Sequence, residues 1–440
     1  MFKTLRNAFK VKEVRKKLIY TFMMLVVIRI GSQLPIPGVN TEFFKEFFAQ
    51  QNNDAMGFFN AMTGSSFSNM SVFALSISPY ITSSIIMQLL TIAIPKLEEM
   101  QKDGEDGRKK IAEYTRYVTV GLALIESVAM AIGFGGQGLL RQFNTLSILI
   151  AVVTMTAGSA LLMWIGERIT EKGVGNGISI VLMVNIISSF PSDVMTLYNR
   201  FMSGKSVAVT AIAAIIIIAV ILAIVVFVIV LQDGERRIPV QYSKKMQGRK
   251  MVGGQASSIP LKVNTAGVIP VIFASSLMSF PVVIGQFFGD KIDYNSIGGH
   301  ILTGLNSSSW FKLDRPVYSI GLILYVALII VFAYFYTSIT FNPLEVANNM
   351  KKSGGFIPGI RPGKPTSDYL NSILNYIVFI GACSLTIVCV IPIMVSGLFN
   401  VSRLSFGGTS LIIIVSVVLE TIKAIESQML VRYYKGFLND

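Results

Sequence analysis

The sequence predicts an all-α polytopic membrane protein, ten transmembrane helices in two inverted five-helix halves around a central pore. Three observations carry that expectation. The chain is 52% hydrophobic and only 14% charged, against roughly a quarter charged for soluble domains. Its apolar residues lie in blocks, the clearest running from Val207 to Leu231 without one charge. About 20 such residues cross a hydrocarbon core of roughly 30 Å, and a soluble helix of that length would need a polar face. Finally, short patterns in the first half of the chain recur at matching places in the second.

Taken in order, the apolar segments cover residues 18–34, 71–94, 117–134, 146–165, 178–190, 207–231, 266–288, 317–339, 369–395 and 404–421. The first runs into Pro35-Ile36-Pro37 with no small-residue cleavage site, so it reads as a span and not as a cleaved signal. The fifth is short, and the apolar stretch 58–67 is too short to cross. Basic residues crowd the amino terminus at Lys3, Arg6, Lys10, Lys12, Arg15, Lys16 and Lys17. Most of the others follow segments two, four, six and eight or sit in the carboxyl tail. That asymmetry places both termini in the cytoplasm. The net charge of +14 is thus largely a topology signal, and no soluble domain gathers it as a nucleic-acid binder would.

Composition also narrows the chemistry. His300 is the only histidine and falls in an external loop. Cys383 and Cys389 share segment nine at a spacing that fits no redox or metal motif, so they read as buried free thiols. Gly359-Ile360-Arg361-Pro362-Gly363-Lys364 is one residue short of a phosphate loop, and Pro365 stands where a hydroxyl should hold magnesium. Gly173-Val174-Gly175-Asn176-Gly177 follows no strand, so a dinucleotide site fails too. Charges inside the spans are few: Arg29, Glu126 and, near one end, Glu420. Ion-coupled pumps generally need more. The reading is a passive conduit with no catalytic residues, metal or cofactor, pushed by a partner.

Splitting the chain into residues 1–205 and 206–440 leaves five segments in each half. Segment two carries Pro79-Tyr80-Ile81-Thr82-Ser83-Ser84, and segment seven Pro270-Val271-Ile272-Phe273-Ala274-Ser275-Ser276. Gly175-Asn176-Gly177-Ile178-Ser179 opens segment five, and Gly407-Gly408-Thr409-Ser410-Leu411 opens segment ten. An odd number of spans separates the members of each pair, so they run antiparallel, and interrupted spans at matching places point to a transport path. The central positions of these four segments are Ile81, Ile85, Ile178, Leu182, Ile272 and Ile413. Aliphatic side chains cannot select a solute by hydrogen bonding. A narrow apolar constriction dewets when empty, which stops ions, yet it deforms around a side chain forced through.

At these residues the chain resembles the SecY protein-translocation channel over nearly its whole length. The matching stretches are Arg29-Ile30-Gly31 with Pro35-Ile36-Pro37-Gly38, Pro79-Tyr80-Ile81 with Ser84 to Leu90, Tyr114-Thr115-Arg116-Tyr117, the two glycine-rich openings, Pro270 to Ser276, Asn342-Pro343 and Gly359-Ile360-Arg361-Pro362-Gly363. The resemblance implies an hourglass that opens sideways between segments two and three on one side and seven and eight on the other. It places the six aliphatic residues in a pore ring, and Gln88, Thr91, Glu126, Ser275 and Ser276 at the lateral gate. It makes residues 57–72 a plug, a short helix resting under the ring through Phe58, Phe59, Met62, Gly64 and Phe67. It also implies SecE and SecG subunits, the motor ATPase SecA, the ribosome, signal peptides and unfolded secretory proteins as partners, and release of apolar segments into membrane lipid. Docking would use the loops 232–264 and 340–367, through Arg236, Arg237, Lys244, Lys245, Arg249, Lys250 and Arg361. Guanidinium groups suit both carboxylates and ribosomal phosphates.

Glu126 departs from what such a gate would hold, and the expectation is that it hydrogen-bonds across the gate to segment two, seven or eight, with Gln88 one candidate, or stays protonated. The rival class is a secondary transporter of a small solute, which would need a polar site at mid-membrane. A membrane-embedded enzyme would need a histidine, cysteine or carboxylate cluster that the sequence does not offer.

Overall fold

Inside hydrocarbon every peptide group needs a partner within the protein, which leaves the helix as the way for this chain to cross. A computed structural model describes residues 6, 8–50, 60, 62–135, 138–203, 206–242, 245–247, 250–252, 256–288, 296–306, 309–310, 316–399 and 408–436. In it each of the ten expected segments falls on one long helix. These are α1 (Lys12–Gly31), α3 (Ser78–Ala93), α5 (Glu105–Gly133), α6 (Thr145–Lys172), α7 (Gly177–Phe201), α8 (Val207–Asp233), α9 (Ile269–Phe288), α11 (Ile320–Thr340), α13 (Lys364–Phe399) and α14 (Gly408–Gly436). Among the described residues six helices are by themselves long and apolar enough to cross a membrane. A seventh arises if α3 is joined to the short α4 (Pro95–Lys102), from which it is bent by 101°. Shorter helices α2 (Thr41–Gln50), α10 (Ile297–Leu305) and α12 (Pro343–Lys352) lie in connections.

The connection between α8 and α9 folds into strands β1 (Glu235–Tyr242), β2 (Lys245–Gln247), β3 (Lys250–Val252) and β4 (Ala256–Lys262), and β5 (Gly355–Phe356) follows α12. The sequence reading placed no strands there. β1 is the centre of an antiparallel sheet, with Glu235 opposite Lys262 on β4 and Tyr242 opposite Gly355 on β5. One side chain on each alternate position turns inward, so Ile238, Val240 and Leu261 cover Met350, Ile357, Leu370 and Ile373. The two loops expected to dock partners are therefore one folded unit.

Local chemistry explains where helices begin. Asn176 caps α7, its Oδ1 accepting from the backbone N–H of Ile178 and Ser179 at 3.1 and 3.4 Å. Asn342 does the same for α12 with Leu344 and Glu345 at 3.1 and 3.3 Å, and Pro343 takes the first turn, where its missing N–H loses nothing. Pro79 likewise sits in the first turn of α3, and Pro270 is the second residue of α9. Both prolines were expected to interrupt their spans; instead they start them. The second span is accordingly shorter than expected, because residues 71–77 form turns in which Ser76 adopts φ +51°.

Each half has its own apolar core: Phe44, Phe67, Ala131, Phe134 and Met155 in one, and Ala274, Tyr325, Ile329, Leu385 and Ile412 in the other. Cys389 is buried in the second and Cys383 is half-buried; both are free. His300 lies on α10, its Nδ1 2.9 Å from the Tyr318 hydroxyl. The glycines at the start of α7 are closely packed. A Cβ at Gly177 would stand 2.0 Å from the Gly166 carbonyl oxygen of α6, and one at Gly173 2.4 Å from Thr21 Oγ1 of α1. By contrast, nothing lies within 4 Å of a Cβ built at Gly121 on α5. Gly177→Ala should therefore destabilise the protein by about 1–3 kcal/mol through overpacking. Gly121→Ala should leave stability unchanged or raise it by up to about 1 kcal/mol. Thermal unfolding in detergent reads both, and equal midpoints for the two variants would contradict the packing described.

Candidate functional site

Four of the six expected ring residues meet in one apolar cluster. Ile81, Ile178, Ile272 and Ile413 pack with Ile180, Val181, Val268, Ile414 and Val417. Ile81, Ile178 and Ile272 belong to the first turns of α3, α7 and α9, and Ile413 lies in the second turn of α14. The cluster draws on both halves, since α3 and α7 precede residue 205 and α9 and α14 follow it. Ile85 is half-buried and Leu182 buried, but neither belongs to this cluster. An aliphatic contact of this kind has no preferred geometry, so the closed packing can be lost and regained without stranding a polar group.

The expected plug differs from its description in the sequence reading. Phe58 and Phe59 lie outside the described residues. Residues 63–70 form turns and not a helix. Gly64 and Ser65 hold left-handed backbones at φ +64° and +65°, and Met70 at +43°, which a continuing helix excludes. The turns hold themselves together: Thr63 Oγ1 donates to the Asn60 carbonyl at 3.0 Å, Ser68 N–H to Asn60 Oδ1 at 3.0 Å, and Ser71 Oγ to the Ser66 carbonyl at 3.2 Å. Met62 is half-buried. Phe67 packs edge-on against Phe44 with ring centroids 5.4 Å apart, in the core of the first half and outside the ring cluster. Asn185 of α7 donates to Ser76 Oγ at 3.1 Å and Ser159 of α6 to the Ser76 carbonyl at 3.2 Å, which anchors the end of this segment.

At the expected gate the polar side chains bond within one side of it. Ser275 Oγ on α9 is 3.1 Å from the Tyr325 hydroxyl on α11, and Thr91 donates to Met87 of its own helix at 2.7 Å. Ser276 is half-buried and Gln88 exposed. Glu126 is half-buried and makes no hydrogen bond or ion pair among the described residues, so its expected pairing with Gln88 is not formed. Two contacts escaped the sequence reading: Ser83 of α3 bonds Thr119 of α5, and Ser127 of α5 is 2.8 Å from Thr156 of α6. Hydroxyls within apolar runs were the available signal, because they need partners at depth. Arg116, in a stretch the family resemblance did single out, ties α5 to α6 by Nε to Glu167 Oε1 at 2.8 Å.

Of the expected docking residues, Arg236 and Arg237 are exposed on β1, with Arg237 Nε 3.6 Å from Glu235. Lys245 and Lys250 stand on β2 and β3, while Lys244 and Arg249 lie outside the described residues. Arg361 is exposed in a turn framed by Gly359 at φ +83° and Gly363 at φ +104°. Thr366 Oγ1 donates to the Arg361 carbonyl at 2.8 Å, which fixes the turn that presents the side chain.

A bundle of long apolar helices in which residues before and after position 205 share one apolar cluster has the architecture of a multi-pass membrane protein. The SecY family model matches residues 71–422. The protein translocase subunit SecY of Halalkalibacterium halodurans is 43% identical over 444 residues, with 100% of each chain covered. The chain belongs to the SecY family. Among solved structures, a SecY whose plug domain is described as stabilising the closed state of the translocation channel matches with TM-score 0.61 at 19% identity, covering 94% of this chain and 92% of that one. Sec61 in a canine ribosome–channel complex matches with TM-score 0.60 at 17% identity, again over 94% and 92%. At such identities the likeness shows the fold. None of these matches supports the rival reading as a small-solute transporter.

Glu126 carries a prediction of its own. If Glu126 lines the expected gate, Glu126→Leu should make that face of α5 more apolar and the closed gate should tighten. Export of substrates with marginal signal sequences should fall several-fold, consistent with the cost of a few kcal/mol for a carboxylate at depth. Unchanged stringency in a translocation assay would remove Glu126 from the gate.

Proposed function

We propose that this chain is the central pore-forming subunit of a protein-conducting channel, moving unfolded secretory polypeptides across the cytoplasmic membrane and releasing transmembrane segments sideways into lipid. The observation that carries the proposal is the joint apolar cluster of Ile81, Ile178, Ile272 and Ile413 from four helices of both halves. The work is vectorial and involves no covalent chemistry. A signal peptide enters between α3 and α5 on one side and α9 and α11 on the other, and leaves for lipid if its transfer free energy favours that. The turn segment up to residue 72 then moves aside as a plug, and the substrate threads the ring of Ile81, Ile85, Ile178, Leu182, Ile272 and Ile413 in extended form. The plug domain attributed to the solved SecY supports this role for the segment.

Partners must prefer the open packing if they are to shift the equilibrium toward it. SecE and SecG bind beside the halves, and SecA or the ribosome docks on the sheet and turn that carry Arg236, Arg237 and Arg361. The ribosome complex of Sec61 supports that class of partner. Both termini and the basic loops face the cytoplasm.

Polar substitution at Ile81, Ile272 or Ile413 should weaken the closed seal, raising ion leak and admitting defective signal sequences. Conductance of reconstituted vesicles and export of a signal-defective reporter measure this, and wild-type values in all three variants would contradict the ring. Arg361→Glu should reduce motor-driven export by on the order of tenfold or more while the channel still inserts normally. A photo-crosslinker on a stalled secretory chain should label α3, α7, α9 and α14; its absence from all four would sink the proposal.

A further inference from the structure

The one cation within the first span has no part in the function proposed so far. Arg29 is half-buried on α1, and its hydrogen bond runs not to a carboxylate but to a main-chain carbonyl, with Nη1 3.5 Å from the oxygen of Gly64. Gly64 is buried in the left-handed conformation at φ +64°. A Cβ built there would stand 2.8 Å from Arg29 Nη1, 2.9 Å from Ser188 Oγ and 3.0 Å from Asn185 Cα. Two separate facts thus converge on one residue: a charged donor aimed at its carbonyl, and walls from α1 and α7 that leave no room for a side chain.

We propose that Arg29 is the positioning residue that latches the 63–70 turn closed. This rests on the reading of that turn as a plug. The turn is a preformed unit, since its Ser and Thr side chains bond its own backbone. Its ties to the rest of the first half include the Arg29–Gly64 contact on one side and the Phe67–Phe44 contact on the other. A hydrogen bond as long as 3.5 Å is weak enough to break without melting a helix. Once the turn swings away, the guanidinium is left without an acceptor at membrane depth, which is unfavourable. An extended polypeptide in the pore presents carbonyls of the same kind as that of Gly64. Substrate entry therefore replaces the lost partner, and release of the turn becomes coupled to the presence of a chain. The planar five-donor fork of arginine suits that exchange, because it can shift between acceptors without moving the helix that bears it.

The test uses the channel purified with its native partner subunits and placed in vesicles, with Cys383 and Cys389 replaced by alanine and Asn69→Cys as reporter. Asn69 is half-buried in the turn and outside the latch. A membrane-impermeant maleimide is supplied from the face opposite the basic loops. Arg29→Leu should raise the labelling rate about tenfold, the factor expected from losing a hydrogen bond to a charged group. Arg29→Lys, which keeps charge and a donor, should fall between Leu and the parent. Gly64→Ala should also label faster, because its Cβ displaces the turn. Parental labelling in Arg29→Leu, or equal rates for the Leu and Lys variants, would overturn the latch. Where Arg29→Leu fails to assemble, Arg29→Lys and Gly64→Ala decide, and parental rates in both overturn it. An engaged secretory chain should itself raise labelling of the parent; if it does not, the plug reading fails, whatever Arg29 does.

Discussion

A peptide group in hydrocarbon finds no water, and this scarcity governs each irregular feature of the protein. Where the chain leaves the helix at membrane depth it carries its own partners. Asn60, Thr63, Ser66, Ser68 and Ser71 staple residues 60–71 to themselves, and Ser76 is held by Asn185 and Ser159 from α7 and α6. Several helices begin where a side chain accepts from the first N–H groups or where proline removes the need, as at Asn176, Pro79 and Asn342-Pro343. In the proposed latch the same scarcity acts on Arg29, whose guanidinium donates to the Gly64 carbonyl of the turn.

Apolar contact does the opposite kind of work. Each half has a core of its own, and between them lies a cluster to which both contribute. Dispersion and hydrophobic packing are non-directional, so a seam made of isoleucine and valine can part and close again with little memory of geometry. Polar ties such as Ser83–Thr119, Ser127–Thr156 and Arg116–Glu167 instead join helices within the first half. The seam is largely aliphatic, with Lys17 Nζ of α1 donating to Gln428 Oε1 of α14 at 3.4 Å across the two halves. In the proposed mechanism the sheet linking β1 to both β4 and β5 completes this division, since a partner bearing on either loop bears on one unit packed over α12 and α13.

Much of this was legible in the residues. The ten apolar blocks each became one long helix, because a span needs only length and apolarity, both local properties. Ile81, Ile178, Ile272 and Ile413 share one apolar cluster, while Ile85 and Leu182 of the expected ring lie outside it. Other features were misread for a physical reason. A proline in an apolar run looks like an interruption, and only the hydrogen bonds of the preceding turn reveal it as a beginning. The stretch near Phe67 has the composition of a short helix, yet three left-handed backbones between Gly64 and Met70 forbid one. Strand β5 was hidden because its pairing with β1 joins segments about a hundred residues apart.

The sequence by itself determined the solvent of this protein, the order of its apolar helices and the aliphatic character of the residues that cluster where they meet. All of these follow from which residues can lie in hydrocarbon and in what order. Tertiary structure alone decided which aliphatic side chains touch, that Glu126 meets no partner among the described residues and that Arg29 meets Gly64. Those are distances between elements remote in the chain, and no local preference encodes a distance.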